Sequence, residues 1–95
     1  MCGILAIAGK KLPNQIDGAL ETLTLRGPDD RGVLRFPAAV LGHTRLSIIE
    51  LSQAGHQPMR DNKHNSAIVF NGEIYNYKEL RAELEQKGHI FNTHS

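Results

Sequence analysis

Three places along the chain carry residues suited to covalent chemistry and its support: Met1-Cys2-Gly3-Ile4, Arg45 within Gly42-His43-Thr44-Arg45-Leu46-Ser47-Ile48-Ile49, and Asn71-Gly72-Glu73. If Met1 is removed, the chain's one cysteine becomes its first residue and carries both a thiol and a free α-amine. A thiol is intrinsically nucleophilic, and an α-amine titrates at about 7.7 to 8.0, close to what a general base requires. The small side chain at position 2 favours loss of Met1. Arg45, held at a strand end and followed by apolar residues, can present its fork to a carboxylate at the bottom of a pocket. Asn71 offers a side-chain amide beside the backbone N–H of Gly72, and two such donors make an oxyanion hole. Singly, each has a plainer reading: Cys2 as a core thiol, Arg45 as a surface arginine, Asn71-Gly72 as a tight turn.

These residues have to be positioned by the elements between them. The apolar run Ile4-Leu5-Ala6-Ile7-Ala8 is continuous, which predicts a strand covered on both faces and hence two flanking layers. After Asn14 as a cap, Ile16, Ala19, Leu20 and Leu23 fall at helical spacing, and Gly27-Pro28 stop the helix. Gly18 inside it costs about 1 kcal/mol. Arg26-Gly27-Pro28-Asp29-Asp30 is turn chemistry, with an ion pair from Arg26 as an added option. Residues 33–36 and 39–41, joined through Pro37-Ala38, predict a hairpin. Residues 51–66 show no period and are expected as a long loop. Residues 67–70 form a second apolar strand leading into Asn71-Gly72-Glu73. Asn76 with Glu79 makes a capping-box pattern, Tyr75 and Leu80 are placed as a staple, and Tyr77, Leu80 and Leu84 mark one helical face. Glu83 and Lys87 add an i,i+4 pair, Gly88 ends this helix, and residues 89–93 read as the start of another strand.

Composition removes several classes. With 95 residues, 40% apolar and 22% charged, the chain holds at most one small core and is not of the disordered type. The net charge is +1 and the longest basic run is Lys10-Lys11, so no nucleic-acid partner is expected. The apolar N-terminal run is too short for a secretory signal or a membrane span, and no membrane partner is expected. One cysteine makes no internal disulfide, which points to a reduced, cytoplasmic setting. His43, His56, His64, His89 and His94 show no tight ligand spacing, so no metal site is expected.

Taken together and in order, Met1-Cys2-Gly3-Ile4, Arg26-Gly27-Pro28-Asp29, Gly42-His43-Thr44-Arg45-Leu46-Ser47-Ile48, Gln57-Pro58-Met59 and Asn71-Gly72-Glu73-Ile74-Tyr75-Asn76 resemble class II glutamine amidotransferases, which are N-terminal-nucleophile hydrolases. Leu46-Ser47-Ile48 after the arginine and Glu73-Ile74-Tyr75-Asn76 after Asn71-Gly72 are similar to the glutamine-hydrolysing asparagine synthetases. The resemblance implies an α+β fold, part of a four-layer αββα sandwich. It implies that Cys2 attacks the side-chain amide of L-glutamine, passing through a thioester and releasing ammonia, with Asn71 and Gly72 holding the oxyanion. Arg45 would clamp the substrate's α-carboxylate, Leu46, Ser47, Ile48 and Ile49 would shape the pocket, and Glu73 would line the end near the substrate's amino group. The Arg26 to Asp29 segment is kept as a structural turn near the site.

In the family a serine-aspartate pair follows the last strand, and its aspartate binds the substrate's α-amino group. Here the chain stops at Ser95, where that aspartate would come next. The expected organisation is therefore residues 1–95 as the N-terminal part of a glutamine amidotransferase type 2 domain, cut before the domain is complete. No cofactor is expected in these residues. ATP and Mg belong to a C-terminal synthetase domain of the same parent chain, which would use the ammonia to make asparagine from aspartate. A homodimer stays open as the assembly. The alternatives are a truncated fragment with no catalysis, or the glutaminase of another class II amidotransferase with a different ammonia acceptor.

Overall fold

The computed structural model describes residues 2–47 and 52–93. In chain order these form β1 (Gly3–Ala8), α1 (Asp17–Glu21), β2 (Asp30–Phe36), β3 (Ala39–Arg45), a 3-10 turn (Gln53–Gly55), β4 (Met59–Asp61), β5 (Ser66–Ile68) and α2 (Tyr77–Gln86). β1, β3 and β2 make an antiparallel sheet in that order, with β3 central, and β4 and β5 pair as a separate antiparallel ribbon. The α+β class expected from the sequence holds.

The predicted hairpin is present and longer than its apolar residues imply. Pro37-Ala38 close it with Phe36 opposite Ala39, and pairing runs on to Asp30 opposite Arg45. β3 is hydrogen-bonded on both sides, so polar residues such as His43, Thr44 and Arg45 are held in strand geometry that their own pattern does not announce.

Register assigns the two faces of the sheet, because successive side chains alternate. Gly3, Leu5 and Ile7 lie opposite Thr44, Gly42 and Val40 and face α1. There Ile16, Leu20 and Val40 form the buried core, flanked by Leu5 and Ile7. Gly42 is the close approach: a Cβ there would stand 2.8 Å from a Leu20 methyl. The other face carries Ile4, His43, Gly32, Arg45 and Asp30, and residues 52–70 lie partly across it, since His43 meets Phe70 and Asp30 meets His56.

Several local expectations are corrected. Burial along β1 alternates, and Ile4 is 48% exposed, so within these residues one face of the strand is covered and the other is largely open. The first helix is only Asp17–Glu21, continued by turns, and Asn14 is not its cap: Ile16 occupies that position without a side-chain bond. The Asn14 carbonyl instead accepts from Arg35 Nη2 at 2.8 Å. The expected loop over residues 51–66 contains the 3-10 turn and β4 among its described residues, and the expected strand at 67–70 leaves the ladder after Ile68. Asn76 makes no side-chain cap on α2, and Tyr75 is 89% exposed rather than stapled. Its end is as expected: Lys87 reaches Glu83 at 3.4 Å, and Gly88 takes φ +94°, a conformation glycine adopts without strain. Residues 89–93 form no strand; the Thr93 carbonyl accepts from Arg81, and Arg81 lies over the Phe91 ring at 4.9 Å.

Candidate active site

Cys2 stands one residue before β1. Continuing the register in which Gly3 opposes Thr44 brings Cys2 opposite Arg45, and Arg45 opposes Asp30 on the other neighbour. The three therefore form a row across one end of the sheet, on the face turned away from α1. Cys2 is half-buried. The Leu46 N–H donates to its sulfur at 3.3 Å, and the thiol lies 3.8 Å from the Leu46 carbonyl, which holds the side chain beside the strand end.

Arg45 is 6% exposed, and its Nη1 donates to the Ser52 carbonyl at 2.8 Å. A guanidinium carries five N–H donors in a rigid fork, so this anchor fixes the group while leaving donors for a planar anion. Leu46 and Ser47 follow it, both half-buried. Ile48 and Ile49 lie outside the described residues.

The turn at residues 26–29 does more than reverse the chain. Arg26 Nε donates to the Cys2 carbonyl at 3.2 Å. The Asp29 N–H donates to the Arg45 carbonyl at 2.9 Å, and its carboxylate accepts the Ser47 N–H at 2.7 Å. Gly27 is required because a Cβ there would be driven into the backbone between Thr44 and Arg45. One short turn thus holds the Cys2 main chain and the strand end that carries Arg45.

Asp30 bonds His56 Nδ1 through Oδ2 at 2.5 Å and receives the Arg31 N–H at 2.8 Å. Partial burial would raise the Asp30 pKa, but the His56 hydrogen bond, the Arg31 N–H and the positive charges of His56 and Arg45 together outweigh it, and the carboxyl titrates below its ordinary value. Gly32 fits against the His56 ring and the Gln57 carbonyl, with no room for a side chain.

Asn71 is half-buried, while Gly72 and Glu73 are exposed. No hydrogen bond among the described residues joins them to Cys2. Their link to the sheet runs through Phe70: His43 Nε2 donates to its carbonyl at 3.3 Å, and the Gln57 side-chain oxygen accepts its N–H at 2.7 Å. The Phe70 ring lies against Gly72, where a Cβ would stand 2.7 Å from it. Among the described residues no group of three or more His, Cys, Asp and Glu side chains is arranged to hold a metal.

Structure thus brings Cys2, Arg45 and Leu46 together and ties the Asn71 segment to the same face. The sequence kept Arg26 to Asp29 as a turn near the site without saying what it holds, and it assigned no task to Asp30, His43, His56 or Gln57. The available signal was parity: on a strand, His43 and Arg45 share a face.

Comparison with known proteins gives the family. The family profile described as "Glutamine amidotransferase domain" matches residues 1–95. The chain is 40% identical over its whole length to Asparagine synthetase [glutamine-hydrolyzing] 1 of Bacillus subtilis, covering 16% of that protein. It is 40% identical over its whole length to the probable asparagine synthetase of Dictyostelium discoideum, covering 18%, and 38% identical to Asparagine synthetase [glutamine-hydrolyzing] 3 of Arabidopsis thaliana, covering 17%. Amidase chyE of Penicillium rubens is 34% identical over 98% of the chain, which covers 16% of it. The chain belongs to the glutamine amidotransferase domain family, as a class II member of the asparagine synthetase type. It spans about a sixth of the length of these relatives.

Proposed function

We propose that these residues carry the nucleophile and the carboxylate clamp of a glutaminase whose ammonia is used by a second domain of the same parent protein. The observation that carries this is the row of Cys2, Arg45 and Asp30 at one end of the sheet, in a chain of this family. Once Met1 is removed, the Cys2 sulfur attacks the side-chain carbonyl carbon of glutamine. The carbonyl π electrons move to oxygen, and Asn71 and Gly72 supply the donors for that oxyanion. Collapse expels ammonia, protonated through the Cys2 α-amine, and leaves a glutamyl thioester; water then releases glutamate and regenerates the thiol. Arg45 binds the α-carboxylate, Leu46, Ser47, Ile48 and Ile49 form the pocket wall, and Glu73 lies at the amino end. The open face of β1 at Ile4, Ala6 and Ala8 is where a second sheet would pack in a four-layer αββα sandwich. In a cytoplasmic parent enzyme the synthetase domain would hold ATP and Mg, which would supply the activation of aspartate; none of the described residues takes part in that.

A second acceptor is favoured by one observation, the likeness to a protein named an amidase. In that reading the glutaminase step is the same and the ammonia goes elsewhere. The test uses the full-length protein and diazo-oxo-norleucine, an electrophilic glutamine analogue. Labelling at Cys2 and loss of glutamine hydrolysis in Cys2→Ala are expected; labelling at another residue, or hydrolysis that survives Cys2→Ala, would overturn the assignment.

A further inference from the structure

Phe70 stands just before the proposed oxyanion residues, and its backbone is not held by the sheet. β5 ends at Ile68, and both polar groups of the Phe70 main chain are taken by side chains from other segments: the N–H by Gln57, the carbonyl by His43. These groups belong to the peptide planes on either side of the Phe70 Cα, so with both held neither plane is free to turn, and the second of them carries the Asn71 N–H.

His43 is built for this. It sits on the central strand between Ile4 and Gly32 and is 1% exposed. A carbonyl only accepts, so Nε2 carries the hydrogen. In the neutral ring Nδ1 is then an acceptor, and it is buried without a partner among the described residues. Burial pushes the His43 pKa below its ordinary value; the Phe70 bond opposes that, while His56 and Arg45 add to it and Asp30 opposes it. An imidazole kept neutral, with its one N–H committed to a carbonyl, is a fixed strut. Arg45 projects from the same face of the same strand two residues on.

We propose that His43 is a positioning residue for glutamine hydrolysis: through the Phe70 carbonyl it sets Asn71 and Gly72 in register with the Arg45 clamp, so that one strand aligns both ends of the substrate. This rests on the glutaminase assignment above. His43 touches no reacting atom; it acts through the main chain. Misplacement of about 1 Å at an oriented site costs on the order of 100-fold in rate, so the loss appears in kcat. Binding by Arg45 is retained, so KM changes little.

The test compares two polar replacements in the full-length protein. In His43→Gln the amide reaches the position of Nε2 and keeps a donor for Phe70; in His43→Asn it stops near Nδ1 and does not. Expected is a kcat for glutamine hydrolysis lowered about 10- to 100-fold in His43→Asn, with KM within about threefold and kcat largely restored in His43→Gln. Equal kcat in the two variants, or a loss confined to KM, would overturn the role. Thermal unfolding of both variants separates positioning from folding: equal midpoints with unequal kcat support it, and a kcat difference that only follows the midpoint contradicts it. Cys2→Ala, measured in parallel, keeps the outcomes apart. If it stays active the glutaminase assignment fails, and if it is inactive while both His43 variants turn over normally, only the strut fails.

Discussion

At Arg45 the guanidinium is buried and pinned by the Ser52 carbonyl, which is the fixed geometry that the proposed carboxylate clamp requires. Arg45→Lys keeps the charge and loses the fork, and hydrogen bonds to charged groups are worth about 1.5–3 kcal/mol. The expected result is a rise of about 10- to 100-fold in KM for glutamine, read from steady-state hydrolysis by the full-length protein. Asn71→Ala removes one proposed oxyanion donor and should lower kcat by about 100- to 1,000-fold with KM little changed. An equal loss in KM would show that Asn71 binds the ground state instead. His43 makes a prediction in pH. Its folded pKa lies below 6.5, so between that lowered value and 6.5 the unfolded chain binds the extra proton, and stability rises with pH across that window and is lost on acidification. Asp30 adds a second loss further down, as pH falls from 3.8 through its lowered pKa. The ring-proton resonances of His43, followed by NMR, should titrate with a midpoint below 6.5; a midpoint above that value would contradict the buried neutral ring.

Among the elements, the turn before β2 is the one that joins Cys2 to Arg45. Gly27 has backbone on its open side, between Thr44 and Arg45, and backbone cannot swing away as a flexible side chain can. Gly27→Ala should cost about 1–3 kcal/mol of stability, as overpacking does, and also displace Arg45 and Cys2 together, because Arg26 and Asp29 bond to both segments. The check is a double reading, a lowered unfolding midpoint with slower labelling of Cys2; a lowered midpoint with unchanged labelling would confine Gly27 to the fold. Leu20 belongs to α1 alone in origin but to the sheet in effect, packed with Ile16 and Val40 against Gly42. Its truncation to Ala falls in the range of about 2–5 kcal/mol.

Over the whole molecule, apolar surface is unevenly placed. On one face of the sheet α1 covers Val40 and packs with Leu5 and Ile7 while Val33 stays 41% exposed, Ile4 on the other face is open, and α2 buries none of its residues, leaving Leu80 and Leu84 partly exposed. Neighbouring exposed apolar side chains of this kind attract partners or solvent-sensitive dyes. The isolated 95-residue chain should therefore enhance the fluorescence of a hydrophobic dye and associate with itself, while the full-length protein should do neither to the same degree. Equal dye binding by both would show that these faces stay uncovered in the parent. No described helix is long and apolar enough to cross a membrane.

Local chemistry was legible from the sequence alone. Pro37-Ala38 between two apolar runs dictates a hairpin, Gly88 past the last helical residue dictates a helix end, and Cys2, Arg45 and Asn71-Gly72-Glu73 stand out as candidates by residue type and order. Tertiary structure decided what those residues face. The hairpin brings Asp30 opposite Arg45, but it is the register of β1 on β3 that adds Cys2 to the row, and no one-dimensional pattern carries the pairing of strands some forty residues apart. It also shortened the strand at 67–70, because His43 and Gln57 take the Phe70 backbone that a ladder would otherwise use. The sequence by itself therefore determined which groups could do chemistry. Their alignment came from long-range hydrogen bonds, whose partners are distant in the chain and adjacent only once it folds.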